Sequence, residues 1–203
     1  MDKSYVIGLT GGIGSGKTAA TDFLAGQGAL VIDADVESRA LTSENGEALP
    51  LIREKFGDAV FNEDGSLDRR ALSDIVFASE EKRRELEGIL HPMIQHRMVT
   101  KIRQAAHDGV PFLFLSVPLL FESGMDALCD ETWCLSLGRD EQIERIMARD
   151  SLTRSEAEVR IDSQMPLEEK TSRANVVIRT NRSMEATHAE LASLLRDLRR
   201  RLG

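Results

Sequence analysis

The segment from Val6 to Thr18, Val-Ile-Gly-Leu-Thr-Gly-Gly-Ile-Gly-Ser-Gly-Lys-Thr, limits the fold of this chain more than any other. Its first residues are a short apolar run, the pattern of a buried parallel strand. Gly11 to Thr18 then spell G-x-x-x-x-G-K-T, the phosphate-binding P-loop or Walker A motif. The apolar positions Ala20, Phe23 and Leu24 follow at helical spacing. Strand, loop and helix is the context the motif requires. Glycines let the loop turn tightly, so that backbone N–H groups point inward at a helix N-terminus and cradle phosphate oxygens. The expectation is a nucleoside triphosphate held by Gly12, Ile13, Gly14, Ser15, Gly16, Lys17, Thr18 and Ala19. Lys17 would place a point charge on the β- and γ-phosphates, and the Thr18 hydroxyl would serve Mg²⁺.

A chain of 203 residues suffices for one large domain or a core with insertions. With 41% hydrophobic and 30% charged residues it has the makeup of a globular protein rather than a disordered one. A formal net charge of −8 argues against general nucleic-acid or anionic-membrane binding. An anionic ligand must then be held by a local cluster of donors. No apolar run reaches spanning length, and Met1-Asp2-Lys3-Ser4 leads straight into the first strand, so neither a membrane span nor a signal peptide is expected. Cys129 and Cys134 fit neither a C-x-x-C redox motif nor a zinc knuckle. His91, His96, His107 and His188 lack the i, i+4 pairing of a helical metal site. A reducing, cytoplasmic compartment is the simplest setting.

Gly28-Ala29-Leu30-Val31-Ile32 reads as a second buried strand ending in Asp33-Ala34-Asp35. In an extended chain residues two apart project to the same side, so both carboxylates can face one site, and ligands of open α/β sheets sit beyond the carboxyl ends of strands. A helix cap plus a solvated acid is the alternative. From Val36 to about Gly109 the chain is charged, Leu-rich and helix-forming, with Arg39 four residues after Asp35 and turns at Gly57 and Asn62–Gly65. Leu86, Ile89, Leu90, Met93 and Ile94 trace a helical face. Within it, Pro92 suits a first helical turn or a kink, and His91 by itself reads as a packed histidine.

Phe112–Val117 is a third buried strand leading to Pro118-Leu119-Leu120-Phe121-Glu122, with Ser116 where many phosphate-loop proteins carry a metal-orienting Asp. The apolar residues after it either pack the loop or line an apolar part of a site. Trp133–Leu137 is a fourth strand and Ala174–Ile178 a fifth. Between them, residues 139–170 form a charge-rich helical hairpin with Arg145 and Arg149 on one face and a capping box at Thr153–Glu156. This segment is either a solvated helical pair or a lid. Leu191, Leu194, Leu195, Leu198 and Leu202 dock a last helix, whose Arg199–Arg201 end complements its dipole. The whole reads as an α/β, three-layer P-loop NTPase fold with a five-stranded parallel sheet and two helical insertions. The nucleotide-binding core comprises residues 1–36, 111–138 and 171–203, the substrate insertion 37–110 and the lid 139–170.

These residues together resemble the dephospho-coenzyme A kinase family. The matching stretches are Gly8–Thr18; Ile32-Asp33-Ala34-Asp35 with Arg39; Phe56-Gly57; Asp64-Gly65 with Arg69, Arg70 and Leu72; Leu90-His91-Pro92; Val117–Glu122; and Gln142, Arg145, Arg149, Arg160 and Gln164. The resemblance implies transfer of the ATP γ-phosphoryl to the ribose 3′-hydroxyl of dephospho-coenzyme A, with Mg²⁺. It implies Asp35 as the base, Asp33 as a placing group, and Lys17, Arg145 and Arg149 on the phosphates. The acceptor would meet Thr10, Asp33, Asp35, Arg39, His91, Pro118, Leu119 and Leu120. The sequence departs from the family pattern at Ser136 with Gly138-Arg139, at Asn175 and at Thr180-Asn181-Arg182. Among competing functions, a nucleoside or nucleotide kinase would share loop and lid. A regulatory GTPase would need N-K-x-D and D-x-x-G, and neither occurs. A catalytically dead scaffold would have no use for the intact Lys17, Asp35, Arg145 and Arg149.

Overall fold

The structure, a computed structural model, describes residues 3–202. Met1 and Asp2, where the leader-free start was expected, and Gly203 lie outside the described residues. Two compact units can be distinguished, one formed by the chain up to Asp33 and from Lys101 onward, the other by Ala34–Thr100. The strands are β1 (Tyr5–Gly11), β2 (Leu30–Asp33), β3 (Phe112–Ser116), β4 (Glu131–Ser136) and β5 (Val176–Arg179). The helices, in chain order, are α1 (Lys17–Gly26), α2 (Ala34–Leu41), α3 (Leu49–Phe56), α4 (Arg69–Ala78), α5 (Glu80–His107), α6 (Arg139–Asp150), α7 (Arg154–Asp162), α8 (Leu167–Arg173) and α9 (Met184–Leu202).

In the first unit the described strands make a five-stranded sheet of order β2-β3-β1-β4-β5, parallel at every pair. This is the expected α/β architecture. The strands read as apolar runs because both faces are covered. Ile7, Leu9, Phe114, Trp133, Leu135 and Ile178 pack with Ala20 and Leu24 of α1 and with Leu191, Leu195 and Leu198 of α9. On the opposite face Gly8 leaves room for the chain that follows β3. A Cβ at Gly8 would lie 2.7 Å from Cys129 Sγ and 2.8 Å from Leu120 Cδ2. Burial pushes the Cys129 thiol up to about 12 and Cys134 up to about 11, so both are protonated packing groups rather than nucleophiles.

Strand ends differ from the sequence reading for local reasons. β2 starts at Leu30 because Gly28, at φ +80, closes α1, with Gly28 N–H donating to Ala25 O and Ala29 N–H to Leu24 O. The premise of an extended Asp33-Ala34-Asp35 does not hold. β2 ends at Asp33, and Ala34 opens α2, so Asp35 stands in a helical first turn. The segment 139–170 is three helices rather than a hairpin, with a small core of Ile143, Ile146 and Ala157. Thr153 and Glu156 do form the expected capping box.

The second unit is helical. Buried Glu37 of α2 accepts from Arg97 Nε of α5 at 3.0 Å. Gly57, at φ +75, ends α3, and the Asp68 carboxylate caps α4 by accepting from Arg70 and Ala71 N–H. Helix α5 spans 28 residues with Pro92 in its interior, which excludes the first-turn alternative and removes one main-chain hydrogen bond.

Away from the loop end of the sheet, Glu131 ties its own strand β4 to β1 and α9. Its carboxylate accepts from Trp133 Nε1 at 2.7 Å, Arg201 Nη2 at 2.8 Å and Tyr5 Oη at 3.2 Å. The arginine-rich end of α9 is thus structural, since Arg199 also donates to Gln27 O at 2.6 Å. Burial by itself would raise the Glu131 pKa, but the bonds from Trp133, Arg201 and Tyr5 outweigh it and hold the carboxyl below the usual range. A depressed carboxylate stabilises the fold above its unfolded pKa of about 4.3, and that contribution fades as pH falls through the lower folded value. Glu131→Gln is therefore expected to lose about 1–3 kcal/mol at pH 7. In denaturant titrations the gap to the parent protein should narrow steadily below about pH 4.

Candidate active site at the phosphate loop

Gly11 ends β1, and the loop to α1 turns through Gly14 at φ +79 and Gly16 at φ +85, a left-handed backbone that favours glycine. A turn bond from Ser15 N–H to Gly12 O tightens it. The first-turn N–H groups of a helix lack intrahelical acceptors, and no side chain caps those of α1. The result is an exposed donor cluster at the positive end of a helix. Ser15 Oγ is packed against Gly11 and, among the described residues, is a buried side-chain oxygen with no hydrogen-bond partner.

Lys17, Ser116 and Asp33 meet at the carboxyl ends of β2 and β3. Lys17 Nζ donates to Ser116 Oγ at 2.8 Å and lies 3.3 Å from Asp33 Oδ2. Ser116 Oγ in turn donates to Asp33 Oδ2 at 2.7 Å. Ser116 takes the place of a strand-end Asp by linking the loop lysine to the carboxylate of the neighbouring strand. Parallel pairing of Asp33 with Ser116 sets this register. Thr18 is exposed in the first turn of α1, and Ala19 is half-buried.

Helix α6 closes on the loop with a residue that spacing singled out and another that it did not. Arg145 Nη1 donates to Gly14 O at 3.3 Å and Nη2 to Thr180 O at 2.7 Å. Thr180 N–H is itself held by Ser136 O at 2.8 Å, so two of the family departures serve to seat Arg145. Gln142 is buried and donates Nε2 to Ile13 O at 2.8 Å, while Ile13 N–H donates to Gln164 Oε1 at 3.2 Å. Both main-chain groups of Ile13 are therefore fixed by side chains, and a side chain at Gly12 would meet Gln142. Arg149 is instead paired with Asp150, which also binds Arg160 at 2.8 Å.

The remaining sequence-predicted residues fall in three settings. Thr10 is buried and donates Oγ1 to Pro118 O at 3.1 Å, and Leu120 is buried in the core. Pro118 and Leu119 stay half-exposed. In the second unit, Asp35 and Arg39 are exposed on α2 and His91 is half-buried on α5. Asn175, another departure, accepts from Thr132 N–H at 2.8 Å and Thr132 Oγ1 at 3.0 Å, which fixes the start of β5. Spacing gave no sign of Lys170. It lies in a Glu-Glu-Lys run that reads as solvated, yet it is fully buried against Glu122. No group of three or more His, Cys, Asp or Glu that could hold a metal occurs among the described residues, and no helix there is long and apolar enough to cross a membrane.

Comparison with known proteins agrees with this geometry. Residues 5–186 match the family model described as dephospho-CoA kinase. The dephospho-CoA kinase of Carboxydothermus hydrogenoformans is 40% identical over 190 residues, covering 94% of this chain and 92% of that protein. That of Bacillus licheniformis is 41% identical over 192 residues, covering 95% and 96%. The structure of dephospho-CoA kinase from Campylobacter jejuni superposes with a TM-score of 0.72 at 27% identity, covering 95% of this chain and 96% of that one. Shikimate kinase from Acinetobacter baumannii, at 18% identity and a TM-score of 0.55 over 97% of this chain and 94% of that one, shares the fold. A phosphate loop ending in Lys17, an Arg145 bonded to it from α6 and a near full-length family match give the same assignment: the chain belongs to the dephospho-CoA kinase family.

Proposed function

We propose that this chain transfers the γ-phosphoryl group of ATP to the ribose 3′-hydroxyl of dephospho-coenzyme A, giving coenzyme A and ADP, the last step of coenzyme A synthesis. The observation that carries this reading is the set of cations around an uncapped helix N-terminus, with Lys17 tied to Ser116 and Asp33 and Arg145 bonded to the loop itself. Within residues 12–19 the main-chain N–H groups of Gly12, Gly14, Gly16, Lys17, Thr18 and Ala19 cradle the phosphates, while those of Ile13 and Ser15 hold the shape of the loop. Lys17 and Arg145, joined by Arg149 on release from Asp150, balance the charge that builds on the transferring group. A well-placed arginine contributes on the order of 10³–10⁵ in rate in phosphoryl transfer.

In the reaction the 3′-hydroxyl oxygen bonds to the γ-phosphorus as the bond to the bridging oxygen breaks and ADP leaves with the electron pair. The hydroxyl proton passes to the Asp35 carboxylate. Asp33 places the acceptor, together with Thr10, Arg39, His91, Pro118, Leu119 and Leu120. Thr10 and Leu120 act from the interior, by shaping the backbone at Pro118 and Leu119. The segment 37–110 serves as the acceptor-binding insertion and 139–170 as the lid on the core formed by 1–36, 111–138 and 171–203. Positioning two substrates away from water supplies much of the remaining acceleration.

The donor set here suits Mg²⁺. Oxygen ligands are its preference, and the exposed Thr18 hydroxyl beside Lys17 would be the group of this chain that holds it, alongside triphosphate and water oxygens. The ion would supply charge neutralisation on the β- and γ-oxygens. The free, protonated thiols of Cys129 and Cys134 suit a cytoplasmic enzyme.

Incubation with Mg²⁺-ATP should release ADP only when dephospho-coenzyme A is present, with a product heavier by one phosphate. ATP binding without transfer would point to a different acceptor. Asp35→Asn is expected to cut turnover by ~10²–10⁴ and leave ATP affinity by calorimetry near that of the parent. Unchanged turnover would remove Asp35 from the role of base. Lys17→Ala should weaken both ATP binding and turnover, read from the same two measurements.

A further inference from the structure

Lys170 is a fully buried lysine outside the phosphate loop. Its ammonium donates to Pro118 O at 2.8 Å and pairs with Glu122 Oε1 at 2.8 Å. Each of these partners is also held from the direction of the loop. Pro118 O accepts Thr10 Oγ1 at 3.1 Å, one residue before Gly11. Glu122 Oε1 accepts Met165 N–H at 3.1 Å, and the preceding Gln164 accepts Ile13 N–H at 3.2 Å. The two ends of the stretch from Pro118 to Glu122 are thus tied to the first half of the phosphate loop, one to Thr10 just before it and the other, through Met165 and Gln164, to Ile13 within it. The side chain that meets both ends is Lys170.

Stability is a poor reason to keep such a group. A buried ion pair can be replaced by apolar side chains with little loss, whereas removing one partner is harmful because the other charge is left behind. Buried charge that also fixes a carbonyl does something an apolar side chain cannot, which is to set where a backbone segment sits. Here that segment presents Leu119, half-exposed between the two anchored residues.

We infer that Lys170 is a positioning residue for acceptor binding, holding the Pro118–Glu122 stretch in register with the phosphate loop. The inference rests on the proposed reading that Pro118 and Leu119 face dephospho-coenzyme A. It adds a determinant of acceptor affinity on α8, a helix that touches neither substrate in that reading.

The test compares the parent with Lys170→Met, the double variant Lys170→Met/Glu122→Gln, and Leu119→Ala. KM for each substrate, kcat and Tm are measured. Lys170→Met should raise the dephospho-coenzyme A KM roughly tenfold, the worth of one hydrogen bond from a charged group, with the ATP KM near the parent value and a lower Tm. The double variant removes the stranded carboxylate and should recover Tm but not the acceptor KM, since Pro118 O still lacks the charged donor and keeps only Thr10 Oγ1. If Lys170→Met does not fold, the double variant carries the test. Recovery of acceptor KM together with Tm would overturn the inference and leave Lys170 a purely structural residue. So would equal rises in both KM values, or an unchanged acceptor KM in Lys170→Met when Leu119→Ala raises it. An unchanged acceptor KM in Leu119→Ala as well would instead reject the placement of Pro118 and Leu119 at the acceptor.

Discussion

β1 runs parallel to both of its neighbours, and β2 and β3 continue the same direction. Parallel strands have all their carboxyl ends on one edge of the sheet, and this constraint underlies everything at the site. Gly11, Asp33, Ser116 and Ser136 finish there because their strands do. The loop after Gly11 can then raise a helix whose N-terminus faces the same edge. Strand register, rather than loop flexibility, brings Lys17 within hydrogen-bond reach of Ser116, 99 residues away in sequence. The apolar packing of α1 and α9 holds the sheet that sets these positions.

Elements whose signal is local were legible in the sequence. The phosphate loop is written in consecutive residues, the strands are apolar runs, and the Thr153–Glu156 box is a four-residue pattern. What escaped the reading depends on partners distant in sequence. Gln142 and Gln164 entered only through resemblance, because nothing near them says that their amides meet the backbone of Ile13. Lys170 looks like any lysine of a charged helix, and only the folded chain brings Glu122 and Pro118 to it. Asp33 and Asp35 depart from the strand pattern for a different reason: the switch to a helix at Ala34 replaces the two-residue period by one of 3.6.

Departures from a family pattern are also better judged in three dimensions. Asn175 departs from the family pattern, yet its Oδ1 accepts from both Thr132 N–H and Thr132 Oγ1 and so fixes the start of β5. Ser116 reads as a lost metal ligand, yet it transmits the Asp33 carboxylate to Lys17 through a hydroxyl. Neither substitution leaves a gap in the hydrogen bonding.

The arginines of residues 139–170 differ in what currently occupies them. Arg139, Arg149, Arg154 and Arg160 each face a carboxylate. Arg145 is satisfied by the carbonyls of Gly14 and Thr180. A carbonyl dipole balances a guanidinium geometrically without cancelling its charge, so an arriving polyphosphate competes with dipoles at Arg145 and with anions at Arg149. The segment 139–170 therefore holds its cations at two readiness levels, Arg145 against carbonyl dipoles at the loop and Arg149 against an internal counter-ion that only a more strongly charged ligand can displace.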